Sequence, residues 1–243
     1  MSTTEWILLG VAAFSVGLSK MGLSAVVLLI IPILASVFGA KTSTGLLLPM
    51  LIVGDIMAVV HYRKHIDVKA ISRLLIWVCI GIGLGLAAGN YVDDALFKTL
   101  LAISVILCMG ALVFSEIRGK RFTPPNKIWF YALVGILGGI TTMIGNAAGP
   151  IMSIYLFSMG YQKERFIGTS AWFFFIVNIL KLPLQTFVWH NIQTDTLLHA
   201  LIMVPVVVLG AVAGSWIVKK INEKLFRYFI IAMTLIAAVV LLV

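Results

Sequence analysis

Charged side chains are scarce in this sequence. They make up 11% of its 243 residues, against about 25% in typical soluble domains. So small a share cannot cover a water-exposed surface, which excludes an ordinary soluble domain. Apolar residues reach 61%, the mean hydropathy is +1.11, and the apolar runs are continuous rather than alternating. Continuous runs are typical of membrane-spanning helices, so we predict an all-α, polytopic membrane protein.

Cysteines and acidic residues are also few. Cys79 and Cys108 lie inside apolar runs without the spacing of metal ligands, so we interpret them as small hydrophobic residues and expect no disulfide and no metal site.

Nine acidic residues stand against 18 Lys and Arg, which gives a net charge of +9. Because the basic residues fall in short loops, this excess indicates orientation in a membrane and not binding of nucleic acid. The N-terminal MSTTEW lacks a basic signal-peptide region, so we expect the first apolar segment to remain.

The usual motifs for catalysis and nucleotide hydrolysis are missing. Without a GxxxxGK[ST] loop, the chain itself should not hydrolyse ATP. Neither HExxH nor GxSxG occurs, and Asp55 is the one acid clearly placed inside an apolar run. We therefore expect no enzyme activity, no catalytic residues and no cofactor.

The apolar segments fall into two similar halves. We count about ten segments, over roughly 5–18, 22–38, 44–61, 70–90, 95–115, 128–143, 146–160, 166–189, 196–218 and 225–243. Three pairs recur at one offset of 123: Gly22 with Gly145, Gly45 with Gly168, and Asp55 with Asn178. Ordered matches of this kind predict an internal repeat. We assign 1–117 to the first repeat, 118–127 to a cytoplasmic linker and 128–243 to the second repeat.

The charges of the loops predict that the two repeats are inverted. Loops 61–73, 116–127 and 218–227 are basic, whereas 90–97 is acidic and 190–199 has no Lys or Arg. Placing the basic loops in the cytoplasm puts both termini outside and sets matching loops on opposite faces of the membrane. Two repeats of inverted topology are typical of secondary transporters.

The first two segments of each half are short. Fifteen helical residues reach about 22 Å, less than the roughly 30 Å hydrocarbon core, so we predict short broken or re-entrant helices. The interruptions are GLSKMGLSA (17–25) and GGITTMIGNAAGP (138–150), and Pro150 suits the first turn of a new helix. Helix N-termini at such breaks bind small oxyanions. The candidate substrate-binding residues of the two interruptions are Ser19, Lys20, Gly22, Ser24, Thr141, Thr142, Gly145, Asn146 and Gly149.

Polar and charged residues inside apolar runs add three candidates, Asn178, Lys181 and Asp55. Lys181 follows Asn178 by three residues, so both face one side of a helix and we assign both to the substrate site. Asp55 can form a purely structural ion pair with Lys181, or it can carry a coupled proton while Lys181 holds the anion. If the first two segments form a re-entrant hairpin, Lys20 lies at its tip and can pair with an anion. If they are full crossings, Lys20 is a loop residue on the cytoplasmic face.

Other glycines have a simpler interpretation. GxxxG patterns let transmembrane helices approach closely. We therefore assign to helix packing alone the glycines Gly81, Gly85, Gly89, Gly210 and Gly214.

The stretch GNAAGPIMSIYLFSMGYQKERFIGTSAWFFFIVNILKLP (145–183) resembles the second-repeat signature of the sulfite exporter TauE/SafE family. It has a Gly-rich break followed by Pro, an apolar helix that ends in a short basic loop, and a Gly-Thr start of a helix that holds Asn and a basic residue. The first half is similar in layout, although GLSKMGLSA has fewer glycines than the family's usual GxGGG-like stretch. The resemblance implies a multi-pass protein of a bacterial or archaeal plasma membrane that moves small sulfur-containing or organic anions, often outward.

These observations together predict a secondary transporter. We expect it to export a small anion such as sulfite or an organosulfonate by alternating access around a central site at the broken helices. An anion channel is the main alternative, and a membrane-embedded enzyme is a weaker one. The expected partners are the anion and the lipid bilayer, and a homo-oligomer is left open.

Overall fold

The computed structural model describes residues 1–24, 26–89, 91 and 127–242, and these residues form ten helices and no strand. The predicted all-α class is confirmed. The predicted segment 95–115, and the linker 118–127 apart from Lys127, lie outside the described residues. The helices are α1 Thr3–Lys20, α2 Val26–Phe38, α3 Ala40–Tyr62, α4 Val68–Ala88, α5 Ile128–Gly145, α6 Gly149–Ser158, α7 Lys163–Phe187, α8 Thr194–Ile202, α9 Val204–Lys220 and α10 Glu223–Leu242.

Several of these helices are long and apolar enough to cross a membrane. Among the described residues, α3 from Lys41 onward, α4, α5 and α7 meet this requirement by themselves. Helices α8 and α9 meet it only together, as a pair bent by 46°. The predicted apolar segment over 196–218 therefore consists of two helices joined at a bend. Pro205 lies in the first turn of α9, and because it has no N–H it cannot donate to the Leu201 carbonyl. The chain is a polytopic helical membrane protein.

The breaks in the two short hairpins, α1–α2 and α5–α6, are narrower than predicted. Helix α1 continues to Lys20 and α5 continues to Gly145, each with 18 residues. Only the second helix of each hairpin is short, with 13 residues in α2 and 10 in α6. The chain turns at Gly22 with φ 122° and at Asn146 with φ 55°. Glycine adopts positive φ without steric cost, and asparagine tolerates the left-handed region better than most residues.

The basic loops gather at one end of the helix bundle, which we name the basic end. Asp67, which follows α3, forms an ion pair of 2.6 Å with Arg165 at the start of α7. The Lys163 ammonium donates to the carbonyls of Val218 and Ile221 at the turn between α9 and α10. These contacts bring the loops after α3, α6 and α9 together.

The two hairpins enter the bundle from opposite ends. Helix α1 runs toward the basic end, where the Tyr62 hydroxyl, at the end of α3, donates to the Met21 carbonyl over 3.5 Å. Helix α5 finishes at the opposite end, because Thr44, near the start of α3, donates through Oγ1 to the Ile144 carbonyl over 3.0 Å. The hairpins α1–α2 and α5–α6 therefore run in opposite directions, as expected for the predicted inverted repeats.

The helix boundaries repeat at the offset seen in the sequence. Val26 and Gly149 start the short helices α2 and α6, and Ala40 and Lys163 start the long helices α3 and α7, so each pair is 123 residues apart. Packing follows the same relation, because α1 lies along α9 and α5 lies along α4. Helices α3 and α7 also pack against each other.

Glycines bring these helices into close contact. A β-carbon on Gly17 would overlap the backbone of α9 at Val207, and one on Gly139 would overlap the backbone of α4 at Val78. The glycines assigned to packing from the sequence are confirmed in that role. Gly81 and Gly85 face α5, Gly210 and Gly214 face α1, and Gly89 lies against the Trp189 ring.

Candidate functional site

The two hairpin breaks meet around a cavity in the middle of the bundle. The Ser24 carbonyl oxygen lies 3.8 Å from the position of a β-carbon on Gly149, so the starts of α2 and α6 are neighbours. Eight of the eleven predicted substrate residues line this cavity: Ser19, Lys20, Gly22, Ser24, Thr142, Asn146, Gly149 and Asn178. Thr141, Gly145 and Lys181 are not among the lining residues.

The cavity is small. It encloses about 40 Å³, which is room for about three water molecules. Its apolar walls include Leu28, Leu51 and Phe166. A ligand of a few heavy atoms fits this space, and a long-chain molecule does not.

Lys20 carries its charge to the wall of the cavity from the last turn of α1. Its Nζ lies 2.7 Å from Asp55 Oδ1 and 4.8 Å from the centre of the Phe174 ring. The Lys20 side chain is 9% exposed and the Asp55 side chain is fully buried. The predicted alternative that Lys20 is a surface loop residue is therefore wrong. Lys20 lies just before the hairpin tip and is paired inside the protein.

Asp55 is engaged at both carboxylate oxygens. Oδ1 faces Lys20, and Oδ2 accepts a hydrogen bond of 2.6 Å from Asn178 Nδ2. The bond joins two positions that are equivalent in the repeats. A buried carboxylate needs such partners, because an unpaired charge in an apolar interior is very costly. Of the two alternatives left open for Asp55, the structural ion pair with Lys181 is not formed, because Asp55 pairs with Lys20.

Lys181 lies behind the wall of the cavity. It is fully buried in α7, and its Nζ donates to Thr142 Oγ1 at 3.2 Å, Asn146 Oδ1 at 2.5 Å and Asn178 Oδ1 at 3.3 Å. Three oxygens match the three N–H groups of an ammonium. Lys181 therefore orients two residues of the cavity wall, Asn146 and Asn178.

Asn146 fixes the break of the second hairpin. Its Nδ2 donates to the Thr44 carbonyl at 3.3 Å, its Oδ1 accepts from Lys181, and its backbone N–H donates to the Thr142 carbonyl at 3.0 Å. These bonds connect the end of α5 to α3 and α7. The left-handed turn at Asn146 is therefore held from both sides.

Two of the predicted residues face elsewhere. Thr141 donates through Oγ1 to the carbonyls of Leu137 and Gly138 in its own helix, at 2.8 and 3.2 Å. Gly145 is the last residue of α5. Both residues lie within α5, before the break, and neither lines the cavity.

The sequence prediction missed Ser170 and Phe174, which line the cavity from α7. They precede Asn178 by eight and four residues, so all three side chains lie on one face of the helix. This periodicity was present in the sequence. Extending the face of Asn178 two turns toward the start of α7 would have found both residues.

The electrostatics of the site favour a negatively charged ligand. Two short helices, α2 and α6, begin at the cavity, and each N-terminus carries about half a positive charge. Lys20, Lys181 and Asp55, when ionised, give the buried group a net charge of +1. Within the described part of the chain, no three His, Cys, Asp or Glu side chains are grouped in a way that could hold a metal ion.

Comparison with known proteins agrees with this geometry. The family model described as sulfite exporter TauE/SafE matches residues 7–241, which is nearly the whole chain. No curated protein and no solved structure gives a significant match. The chain therefore belongs to the sulfite exporter TauE/SafE family of membrane transporters.

Proposed function

We propose that the chain is a secondary carrier that moves a compact oxyanion, such as sulfite, by alternating access through the central cavity. The observation that supports this proposal most strongly is the position of Lys20. Its ammonium reaches the wall of a small cavity where the breaks of two oppositely directed hairpins meet. Broken helices of inverted repeats around a central site are typical of secondary transporters.

Lys20 is the main anion ligand in this proposal. Ser24, Ser170 and Gly149 line the same space, so the two hydroxyls and the backbone N–H of Gly149, the first residue of α6, can donate to the remaining oxygens. Lys181 acts as a positioning residue, because its three hydrogen bonds hold Thr142, Asn146 and Asn178 in the wall. The limited volume favours sulfite-sized anions over larger organosulfonates.

Asp55 couples a proton to the anion. In the unloaded site its carboxylate neutralises Lys20 at 2.7 Å. An anion that binds Lys20 is repelled by this carboxylate, and protonation of Asp55 removes the repulsion. Each event therefore favours the other, which is positive coupling between the two ligands. Apart from hydrogen-bonded Asn178, the charged groups acting on Asp55 are Lys20 on α1 and Lys181 on α7.

A group of hydrogen bonds around Asp67, which we call the basic-end latch, restricts access to the central cavity from the basic end. Asp67 accepts hydrogen bonds from the Tyr161 hydroxyl at 2.5 Å, Arg165 at 2.6 Å and the Ala70 amide at 3.0 Å, and its own N–H donates to Thr169 Oγ1 at 3.0 Å. These bonds join the loop after α3 to α7 and the turn before it. We propose that this latch opens when the site faces the basic end.

A second latch lies at the opposite end. Asn191, in the loop after α7, donates through Nδ2 to the Lys41 carbonyl at 2.9 Å, and Asn146 donates to the Thr44 carbonyl at 3.3 Å. Both latches join one proposed repeat to the other, the first through the loop after α3 and the second through the loop after α7 and the end of α5. Opening one while the other stays closed exposes the cavity to one side at a time.

Sidedness follows from the loop charges. We propose that the basic end faces the cytoplasm of a bacterial or archaeal cell, that both termini lie outside, and that transport runs outward. The proposed repeats are 1–117 and 128–243, joined by 118–127.

Reconstitution in proteoliposomes tests the proposal. Labelled sulfite, sulfate and an organosulfonate are offered to wild type, Lys20→Met and the control Lys69→Gln, whose lysine is exposed in the first turn of α4. We expect saturable sulfite flux, driven uphill by a proton gradient, in wild type and control and its loss in Lys20→Met. Flux that does not saturate would indicate a channel. Undiminished carrier flux in Lys20→Met would remove Lys20 from the site.

A further inference from the structure

Gln185, near the end of α7, is a buried polar side chain without a partner. It is fully buried, and among the described residues neither its Nε2 nor its Oε1 has a hydrogen-bond partner. Its backbone carbonyl accepts from the Asn191 N–H at 3.1 Å, so the residue lies beside the loop after α7. A buried amide without partners has lost its hydrogen bonds to water and gained none in exchange. A purely structural role would therefore favour an apolar residue at this position.

Gln185 continues the polar face of α7 beyond the central cavity. It follows Asn178 by seven residues and Lys181 by four, so the three side chains lie on one face of the helix. Asn178 lines the cavity, and Lys181 donates to it from behind the wall. Because α7 starts at the basic end, Gln185 lies on this face toward the opposite end. A ligand that leaves the cavity along α7 in that direction passes Lys181 and then Gln185.

The repeat relation links Gln185 to the break of the second hairpin. Tyr62, 123 residues earlier, donates through its hydroxyl to the Met21 carbonyl, just after α1. The equivalent carbonyl of the second hairpin, that of Ile144, instead accepts from Thr44 Oγ1 at 3.0 Å. Gln185 therefore corresponds to a residue that holds a hairpin break. The contact that takes its place joins the two proposed repeats, at the end that has to open for the cavity to face away from the basic end.

The second latch covers the part of α7 that carries Gln185. Asn146 donates to the Thr44 carbonyl on α3 and accepts from Lys181, one turn before Gln185 on α7. When this latch opens, the end of α5 separates from α3, and the buried face of α7 beside it becomes accessible. The Gln185 amide can then donate through Nε2 to an anion oxygen. A neutral amide binds an anion more weakly than an ammonium does, which suits a position that the anion has to leave again.

We propose that Gln185 forms a second anion-binding position, on the route between the central cavity and the end opposite the basic end, where its Nε2 donates to an oxygen of the transported oxyanion. This position rests on the proposed transport function. It adds to the charged ligand Lys20 an uncharged donor that the anion meets only when the second latch is open.

Thiol labelling tests whether position 185 becomes accessible, and it does not depend on flux. Gln185→Cys and the control Val177→Cys are made in a chain in which Cys79 and Cys108 are replaced by alanine, and proteoliposomes are treated with a membrane-impermeant thiol reagent. Val177 is also fully buried in α7 and does not line the cavity. We expect labelling of Gln185→Cys, slowed by sulfite, and none of Val177→Cys. Equal labelling of the two variants would overturn the proposal.

Flux and stability distinguish an anion ligand from a structural residue. Leucine has a similar volume and leaves no hydrogen bond unmade, so Gln185→Leu should unfold at a higher temperature than wild type. Its sulfite flux should nevertheless fall by about 10- to 100-fold, the factor for a lost hydrogen bond to a charged group. Gln185→Glu, which places a negative charge on the route, should reduce flux further.

Two outcomes separate this proposal from the proposed carrier function. Undiminished sulfite flux in Gln185→Leu would leave the carrier intact and overturn the anion-binding role of Gln185. Absence of sulfite flux in wild type, together with labelling of Gln185→Cys that sulfite slows, would contradict the carrier function and still support the second anion-binding position.

Discussion

Replacing Asp55 by asparagine separates two roles of this carboxylate, which pairs with the Lys20 ammonium and repels a bound anion. Asparagine keeps the volume and the hydrogen-bonding capacity toward Asn178, but it removes the negative charge that faces Lys20 at 2.7 Å. Without its partner, Lys20 becomes an unpaired buried charge. Removing one member of a buried pair costs about 3–5 kcal/mol. We therefore expect Asp55→Asn to be less stable than wild type in the absence of anion.

The same change should strengthen anion binding. An anion oxygen that accepts from Lys20 lies about 2.8 Å from Nζ. Since Nζ is 2.7 Å from Asp55 Oδ1, the anion lies no farther than about 5.5 Å from that oxygen. At an effective dielectric constant of about 20, two negative charges at this separation repel by about 3 kcal/mol. Loss of this repulsion corresponds to a gain in affinity on the order of 100-fold.

Titration calorimetry and thermal unfolding with sulfite measure both effects. Wild type should bind more tightly as the pH falls, because uptake of a proton by Asp55 relieves the repulsion. Asp55→Asn should bind tightly with a much weaker dependence on pH, and sulfite should restore its stability. Glu5→Gln, in the first turn of α1 at the far end of that helix from Lys20, serves as the control. Weaker binding in Asp55→Asn, or an unchanged pH dependence, would refute the coupling of proton and anion.

Three further predictions concern the framework of the site. Lys181→Met leaves the side-chain oxygens of buried Thr142 and Asn178 and of partly buried Asn146 without their donor. Because each orphaned buried acceptor costs about 1–3 kcal/mol, we expect the unfolding free energy to fall by about 3 kcal/mol together with loss of flux. A fully stable, active variant would contradict this role. Gly17→Ala places a β-carbon against the backbone of α9 and should lower the free energy of unfolding by about 1–3 kcal/mol. The control Gly10→Ala, whose β-carbon meets nothing within 4 Å, should leave it unchanged. Equal unfolding midpoints of the two variants would show that the helix contact is not tight. Burial alone would raise the pKa of Asp67, yet hydrogen bonds from Tyr161, the Ala70 amide and Arg165 hold it below its usual value. Its stabilising contribution is therefore present at neutral pH and lost as the pH falls through this lowered pKa, so an acid titration of the unfolding midpoint should show a larger loss in wild type than in Asp67→Asn.

Much of the fold could be predicted from the sequence, because its signals are local. Few charges and continuous apolar runs indicate membrane helices. The glycines next to Pro150 indicate a helix break, and this signal does not depend on where the segment lies in the fold. The offset of 123 between Asp55 and Asn178 indicates a repeat, and the charges of the loops indicate its inversion. The exact ends of α1 and α5 could not be predicted, since Ser and Thr fit both a helix end and a break.

The tertiary structure alone decided which side chains meet. Hydropathy and spacing are properties of neighbours in the chain, whereas Asp55 and its hydrogen-bond donor Asn178 are 123 residues apart. Two lysines were available to one buried carboxylate, and the packing of α1 against α3 gave it Lys20 and left Lys181 to Asn146. The sequence determined that positive charge lies at the helix breaks. Long-range packing determined which lysine faces the cavity and which supports its wall, because a buried charge takes the partners that the surrounding helices bring within reach.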